Sequence, residues 1–105
     1  MRFIETPVFT RALVDLMDDE EYRSVQLGLL LRPALGPVIP RSEGLRKIRW
    51  AVKGKGRRGG CRIIYYWDDP TETFYMLYGY RKNVQEDLTP QQLKTLIRLV
   101  REEFK

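Results

Sequence analysis

Histidine is absent from the sequence, and cysteine occurs once, at Cys61. The first absence removes the side chain that most often moves protons near neutral pH. Together they exclude an internal disulfide and most zinc and copper sites. An enzyme built on this chain is expected to work with Lys, Arg, Tyr, Asp or Glu, and without a metal or other cofactor. Long apolar runs are missing too: the apolar segments are all broken by polar residues, so no transmembrane span fits. The opening stretch MRFIETPVF carries Glu5 and Pro7 where a secretory signal needs an unbroken apolar run and a small-residue cleavage site, and a cytoplasmic location is expected. Internal repeats and low-complexity segments are also lacking. With 105 residues, 43% of them hydrophobic and 31% charged, the sequence reads as one globular domain over 1–105, large enough for a single core and a single site.

What the chain does have is an uneven distribution of charge. Residues 1–40 hold four basic and six acidic side chains, residues 41–66 nine and one, and residues 67–105 six and seven. The whole excess of +5 therefore arises in the middle of the chain. A patch of that density suits a phosphate backbone, because each cation that neutralises a phosphate releases condensed counterions.

Local patterns order the elements. Arg2 to Glu5 alternates as a short strand. Thr6-Pro7 then supplies a hydroxyl N-cap and a proline at the first helical position, where its missing N–H costs nothing. Phe9, Leu13, Leu16 and Met17 recur at helical spacing, and after Asp18-Asp19 a second run through Tyr22, Val25, Leu29 and Leu30 reaches Leu31, giving a helical hairpin or one bent helix. Arg32-Pro33 ends it, and residues 33–44, with three prolines and two glycines, form an extended loop. From Leu45 the period becomes two. LRKIRWAV, CRIIYYW and FYMLYGY are strands, linked by KGKGRRGG and DDPTET as an antiparallel meander. Thr89-Pro90-Gln91-Gln92 is a capping box, and Leu93, Leu96, Ile97, Val100 and Phe104 mark a closing helix. The expected fold is α+β: a curved antiparallel sheet covered by the N-terminal helical hairpin and the C-terminal helix, with Ile48, Trp50, Ile63, Tyr65 and Leu77 beneath them.

Alternation puts Lys47 and Arg49 on one side of the first meander strand. Arg62 stands near the start of the next, after the Gly59-Gly60 pair, where the backbone can bend and aim a long side chain. Tyr80, Arg81 and Lys82 end the third. Such convergence fits metal-free RNA cleavage, in which a base takes the ribose 2′-hydroxyl proton, cations neutralise the non-bridging phosphate oxygens, and an acid protonates the leaving oxygen. Arginine offers phosphate a planar fork of donors. Like charge disfavours the protonated form of a crowded lysine, which suits it to proton transfer. Tyr66, sharing a face with Arg62, and Tyr80 are the aromatic site candidates, since a base stacks on an exposed ring. Lys53, Lys55, Arg57 and Arg58 in KGKGRRGG are expected to ride on the RNA backbone. That loop has neither the order of a P-loop nor the spacing of a dinucleotide fingerprint. Cys61 is expected to be a small buried residue, with no histidine to activate it.

LRKIRWAVKGKGRRGGCRIIYYW, then FYMLYGYRKNVQEDLT and an amphipathic helix, resembles the RelE/ParE toxin superfamily and within it the HigB-like branch, over the whole chain. The resemblance implies a compact sheet flanked by helices and a type II toxin-antitoxin toxin that cuts messenger RNA on the ribosome without a metal. It also implies neutralisation by a cognate antitoxin that often carries a helix-turn-helix domain, through which alone the toxin would reach operator DNA. The family's catalytic cations fall on Lys47, Arg49, Arg62 and either Arg81 or Lys82. Members with a catalytic tyrosine near the C-terminus have no counterpart here, Phe104 being the only aromatic after Tyr80, so Tyr80, Tyr66 or a lysine remains to transfer the proton. A ParE-like inhibitor of DNA gyrase and a nucleic-acid-binding module without catalysis are the other readings. Arg62, Arg81 and Lys82 on adjoining strands argue against the first, while phosphate binding and phosphate cleavage use the same residue types.

Overall fold

A computed structural model describes residues 1–52 and 60–104. In chain order the elements are β1 (Arg2–Glu5), α1 (Pro7–Leu16), α2 (Asp19–Leu31), β2 (Arg46–Trp50), β3 (Cys61–Asp68), β4 (Thr73–Arg81) and α3 (Pro90–Leu99), which runs on into a π-helical turn, Val100–Phe104. The caps that the sequence offers are in place. Thr6 Oγ1 accepts from the Phe9 amide ahead of Pro7. Asp18 and Glu21 close a capping box at α2, and Thr89 and Gln92 close one at α3. Each satisfies backbone amides that a helix start leaves unpaired. Asp18 also separates α1 from α2, so the hairpin alternative holds and the bent single helix does not.

The sheet order is β1-β4-β3-β2. β2, β3 and β4 form the expected antiparallel meander, with Ile48 opposite Ile63 and Ile63 opposite Gly79. β1 adds a feature that local pattern does not encode: it pairs parallel with β4, Phe3 opposite Phe74, which makes the four-stranded sheet mixed. The outer edge of β2 is partly covered by the proline-rich loop, where Lys47 N–H donates to Pro37 O and Ile39 N–H to Leu45 O. Gly36 permits this approach, since a Cβ there would lie 2.7 Å from Ile48 Cγ2.

Both faces of the sheet are covered. On one, Phe9 and Leu16 of α1 and Tyr22, Val25 and Leu29 of α2 pack on Ile48, Ile63, Tyr65, Phe74 and Met76, with Trp50 half-buried beside them. On the other, Leu96 and Val100 pack on Ile64, Tyr75 and Leu77. Full burial of a side chain of this size stabilises the fold by about 1.5–3 kcal/mol. The π-helical turn brings Phe104 onto Tyr75, ring centroids 4.2 Å apart. Tyr80 belongs to the same cluster, at the end of the sheet where it lies opposite Arg62.

Among the described residues no helix is long and apolar enough to cross a membrane.

Candidate active site

The register of the meander builds the site. Arg49 is the cross-strand partner of Arg62, and Arg62 is the partner of Tyr80. Neighbouring strands lie about 4.8 Å apart, so the three residues form one row across β2, β3 and β4. The next row on the same face is Lys47, Ile64 and Tyr78. The turn that starts β3 fixes this alignment. Gly60 adopts φ +67°, and a Cβ on it would lie 2.1 Å from Trp50 O, so the chain passes too close to the end of β2 for any other residue.

A β-bulge decides which side chains of β4 join the row. Ile64 pairs with Tyr78 and Tyr65 with Met76, which leaves Leu77 as an extra residue. Its carbonyl accepts from the Thr6 hydroxyl at 2.8 Å. Strict alternation from Leu77 would send Gly79 and Arg81 to the α3 face. The bulge moves Tyr78, Tyr80 and Lys82 there instead and turns Gly79 toward α1, where a Cβ would meet Leu16 Cδ1 at 2.6 Å.

Arg62 and Tyr80 are buried, at 8% and 5% exposure, whereas Arg49 is exposed. Arg62 Nη1 donates to Cys61 O at 3.2 Å. Lys47 Nζ donates to Asp87 Oδ1 at 3.2 Å, and Lys82 pairs with Glu86 at the same distance. The Tyr80 hydroxyl has no hydrogen-bond partner among the described residues, although it is enclosed. Burial first, then the charge of Asp87, raises its pKa; Arg62 pulls the other way, and the result is pushed up to about 12. At neutral pH this phenol is therefore a hydrogen-bond donor and not a base. Asp87 behaves oppositely. Burial works to raise its pKa, but the Leu88 amide, the hydrogen bond and charge of Lys47, and the charge of Lys82 together hold it below the usual value.

Not every expected residue comes to this place. Arg81 is opposite Cys61 and points to the other face, where Nη2 donates to Asp15 O at 2.7 Å and lies 3.4 Å from Asp15 Oδ1. It caps the C-terminal end of α1, a helix with no basic residue in its last turn, and is separated from the Arg49, Arg62 and Tyr80 row by the sheet itself. Tyr66 shares the face of Arg62 but lies four residues along β3, about 13 Å away. It sits beside Gly44 and against Tyr75, ring centroids 6.3 Å apart. Lys53, Lys55, Arg57 and Arg58 lie outside the described residues. Cys61 is a buried free thiol in the core.

Asp87 is the residue that sequence reasoning missed. Its local signal, an acid two positions before a helix N-cap, says nothing of a lysine 40 residues earlier in the chain. An apolar hollow of about 250 Å³ lies between α3, β4 and the start of α1, lined by Val8, Leu77, Leu96 and Leu99 among others, with no cation in its wall. The cations gather on the rows described above and not there. Among the described residues, no three His, Cys, Asp or Glu side chains gather as a metal site requires.

The fold is that of the RelE-like toxins. The chain superposes on a mutant of E. coli toxin RelE in its free state with a TM-score of 0.57, at 11% sequence identity over 80% of this chain and 85% of that one. The sequence matches no protein-family model.

Proposed function

We propose that this protein is the toxin of a type II toxin-antitoxin system, of the HigB-like branch, and that it cleaves messenger RNA on the ribosome. The observation that carries this reading is the Arg49, Arg62 and Tyr80 row, flanked by Lys47 and Lys82, on a fold shared with the toxin RelE. Arg62 and Arg49 neutralise the non-bridging oxygens of the scissile phosphate. Lys47 or Lys82, reacting as the free amine, takes the proton of the 2′-hydroxyl as its oxygen bonds to phosphorus. The bond to the 5′-oxygen breaks, and Tyr80, a protonated phenol in the row, donates a proton to it. The products are a 2′,3′-cyclic phosphate and a free 5′-hydroxyl. No cofactor takes part.

The ribosome supplies what so small a face cannot, a messenger held in a fixed path. The protein acts in the cytoplasm and is neutralised by a cognate antitoxin. An acidic segment of that antitoxin is drawn to the basic stretch 41–66, and a helix-turn-helix domain on it binds operator DNA on behalf of both. The test is expression without the antitoxin, with mapping of new RNA 5′ ends and a parallel assay of DNA supercoiling. New ends inside translated messages, and naked RNA left largely intact by the purified protein, are expected. Loss of supercoiling without new RNA ends would identify a gyrase inhibitor instead.

A further inference from the structure

Asp87, like its neighbour Glu86 on Lys82, sets a carboxylate against this cationic face, and it is held by several hydrogen bonds although its side chain is 70% exposed. Its Oδ1 accepts from its neighbour Leu88 N–H at 2.9 Å and from Lys47 Nζ at 3.2 Å. Its carbonyl accepts from Gln85 Nε2 at 2.8 Å, and the same amide reaches Gln92 Oε1 in the capping box of α3 at 2.6 Å. Gln92 in turn donates to the Tyr78 hydroxyl at 3.3 Å. The segment between β4 and α3 is thus tied to the helix start and to the second row of the site, and through this carboxylate it reaches Lys47 of β2.

A negative charge beside a phosphate-binding face opposes the binding of RNA, since it repels the same oxygens the arginines attract. Helix capping does not require it. The bond to the Leu88 amide is available equally to an asparagine, and the N-cap function belongs to Thr89. What only the charge provides is the fixed position of Lys47, a long side chain with four rotatable bonds that would otherwise spread over solvent.

Resting on the nuclease reading above, we infer that Asp87 is a positioning residue, which holds the Lys47 amino group beside the Arg49, Arg62 and Tyr80 row at a cost in affinity for RNA. The two effects have opposite signs, and this separates positioning from a merely structural role. Single-turnover cleavage of ribosome-bound message is measured across toxin concentrations for wild type, Asp87→Asn, Asp87→Glu, Lys47→Ala and the Lys47→Ala/Asp87→Asn double variant, each checked for an unchanged thermal melt. In Asp87→Asn the rate at saturation is expected to fall about ten- to a hundredfold, the range for a misplaced reacting group. The half-saturating concentration should stay the same or drop. Asp87→Glu should recover part of the rate, and Asp87→Asn should cost nothing more once Lys47 is gone. A wild-type or faster rate in Asp87→Asn overturns the inference, as does a loss of rate matched by a loss of affinity, or an undiminished loss in the Lys47→Ala background. A wild-type protein that cuts no message on the ribosome overturns the nuclease reading itself, whatever the variants do.

Discussion

Arg62 and Tyr80 are cross-strand partners, one a buried cation and the other a buried phenol whose hydroxyl meets no hydrogen-bond partner among the described residues. An enclosed hydroxyl left in this way costs folding about 1–3 kcal/mol. Tyr80→Phe is therefore expected to leave stability unchanged or to raise it by up to about 1 kcal/mol, while slowing cleavage at least about tenfold. Urea denaturation and single-turnover cleavage of the same preparation measure the two. A variant that is destabilised and fully active would remove the hydroxyl from the reaction.

The two arginines on either side of the sheet should fail differently. Arg62→Ala removes a donor from the proposed phosphate site, and about a 100- to 1000-fold loss of rate is expected, with ribosome binding retained. Arg81→Ala removes a cap from α1, which is partly exposed, so about 0–1 kcal/mol of stability should go while cleavage changes only a few-fold. Parallel rate and melting measurements decide. Equal losses of rate would mean that Arg81 reaches the substrate from the opposite face.

Gly60→Ala should be far worse than its size suggests. The backbone there is left-handed, and the added methyl would press on Trp50 O, a backbone atom with nowhere to move. A loss of at least about 2 kcal/mol is expected, and with it the alignment of Arg49 and Arg62. Denaturant titration gives the magnitude. A near-neutral result would show that the start of β3 tolerates another path.

Alkaline titration offers a prediction from the tyrosines. Burial raises the pKa of Tyr22, Tyr65 and Tyr80 above the ordinary 10.0, with the charge of Asp87 adding at Tyr80. A phenol that holds its proton more tightly when folded contributes stability that is complete below pH 10 and is lost as pH rises through the folded pKa, about 12 for Tyr80. Between those limits the wild type should lose stability faster with pH than Tyr80→Phe, by up to about 1.4 kcal/mol per pH unit. Denaturant unfolding at stepped pH compares the two. Identical slopes would place Tyr80 in contact with water.

Most of the fold was legible because its signals are local. Thr6-Pro7 and Thr89-Pro90-Gln92 announce helix starts through atoms within four residues, and period two marks the three strands of the meander. The site was legible in part, since Lys47, Arg49 and Arg62 follow alternation from Ile48 and Ile63. Arg81 and Lys82 stood as alternatives, and local pattern could not choose between them, because the bulge at Leu77 shifts the parity of everything after it and nothing in FYMLYGY distinguishes a bulged strand from a regular one. Asp87 and the parallel partner of β1 were invisible for the same reason, each depending on a residue far away in the chain.

The parallel pairing of β1 also sets a timetable. Residues 2–5 are synthesised 71 residues ahead of their partners at 73–76, and the Thr6 hydroxyl finds Leu77 O across the same interval. Closing so long a loop precedes any reward from the contacts it permits, which makes the step slow and late. Strand β1 thus waits for β4 whatever the helices between them do, and the sheet gains its parallel pair only after both ends of that interval have been made.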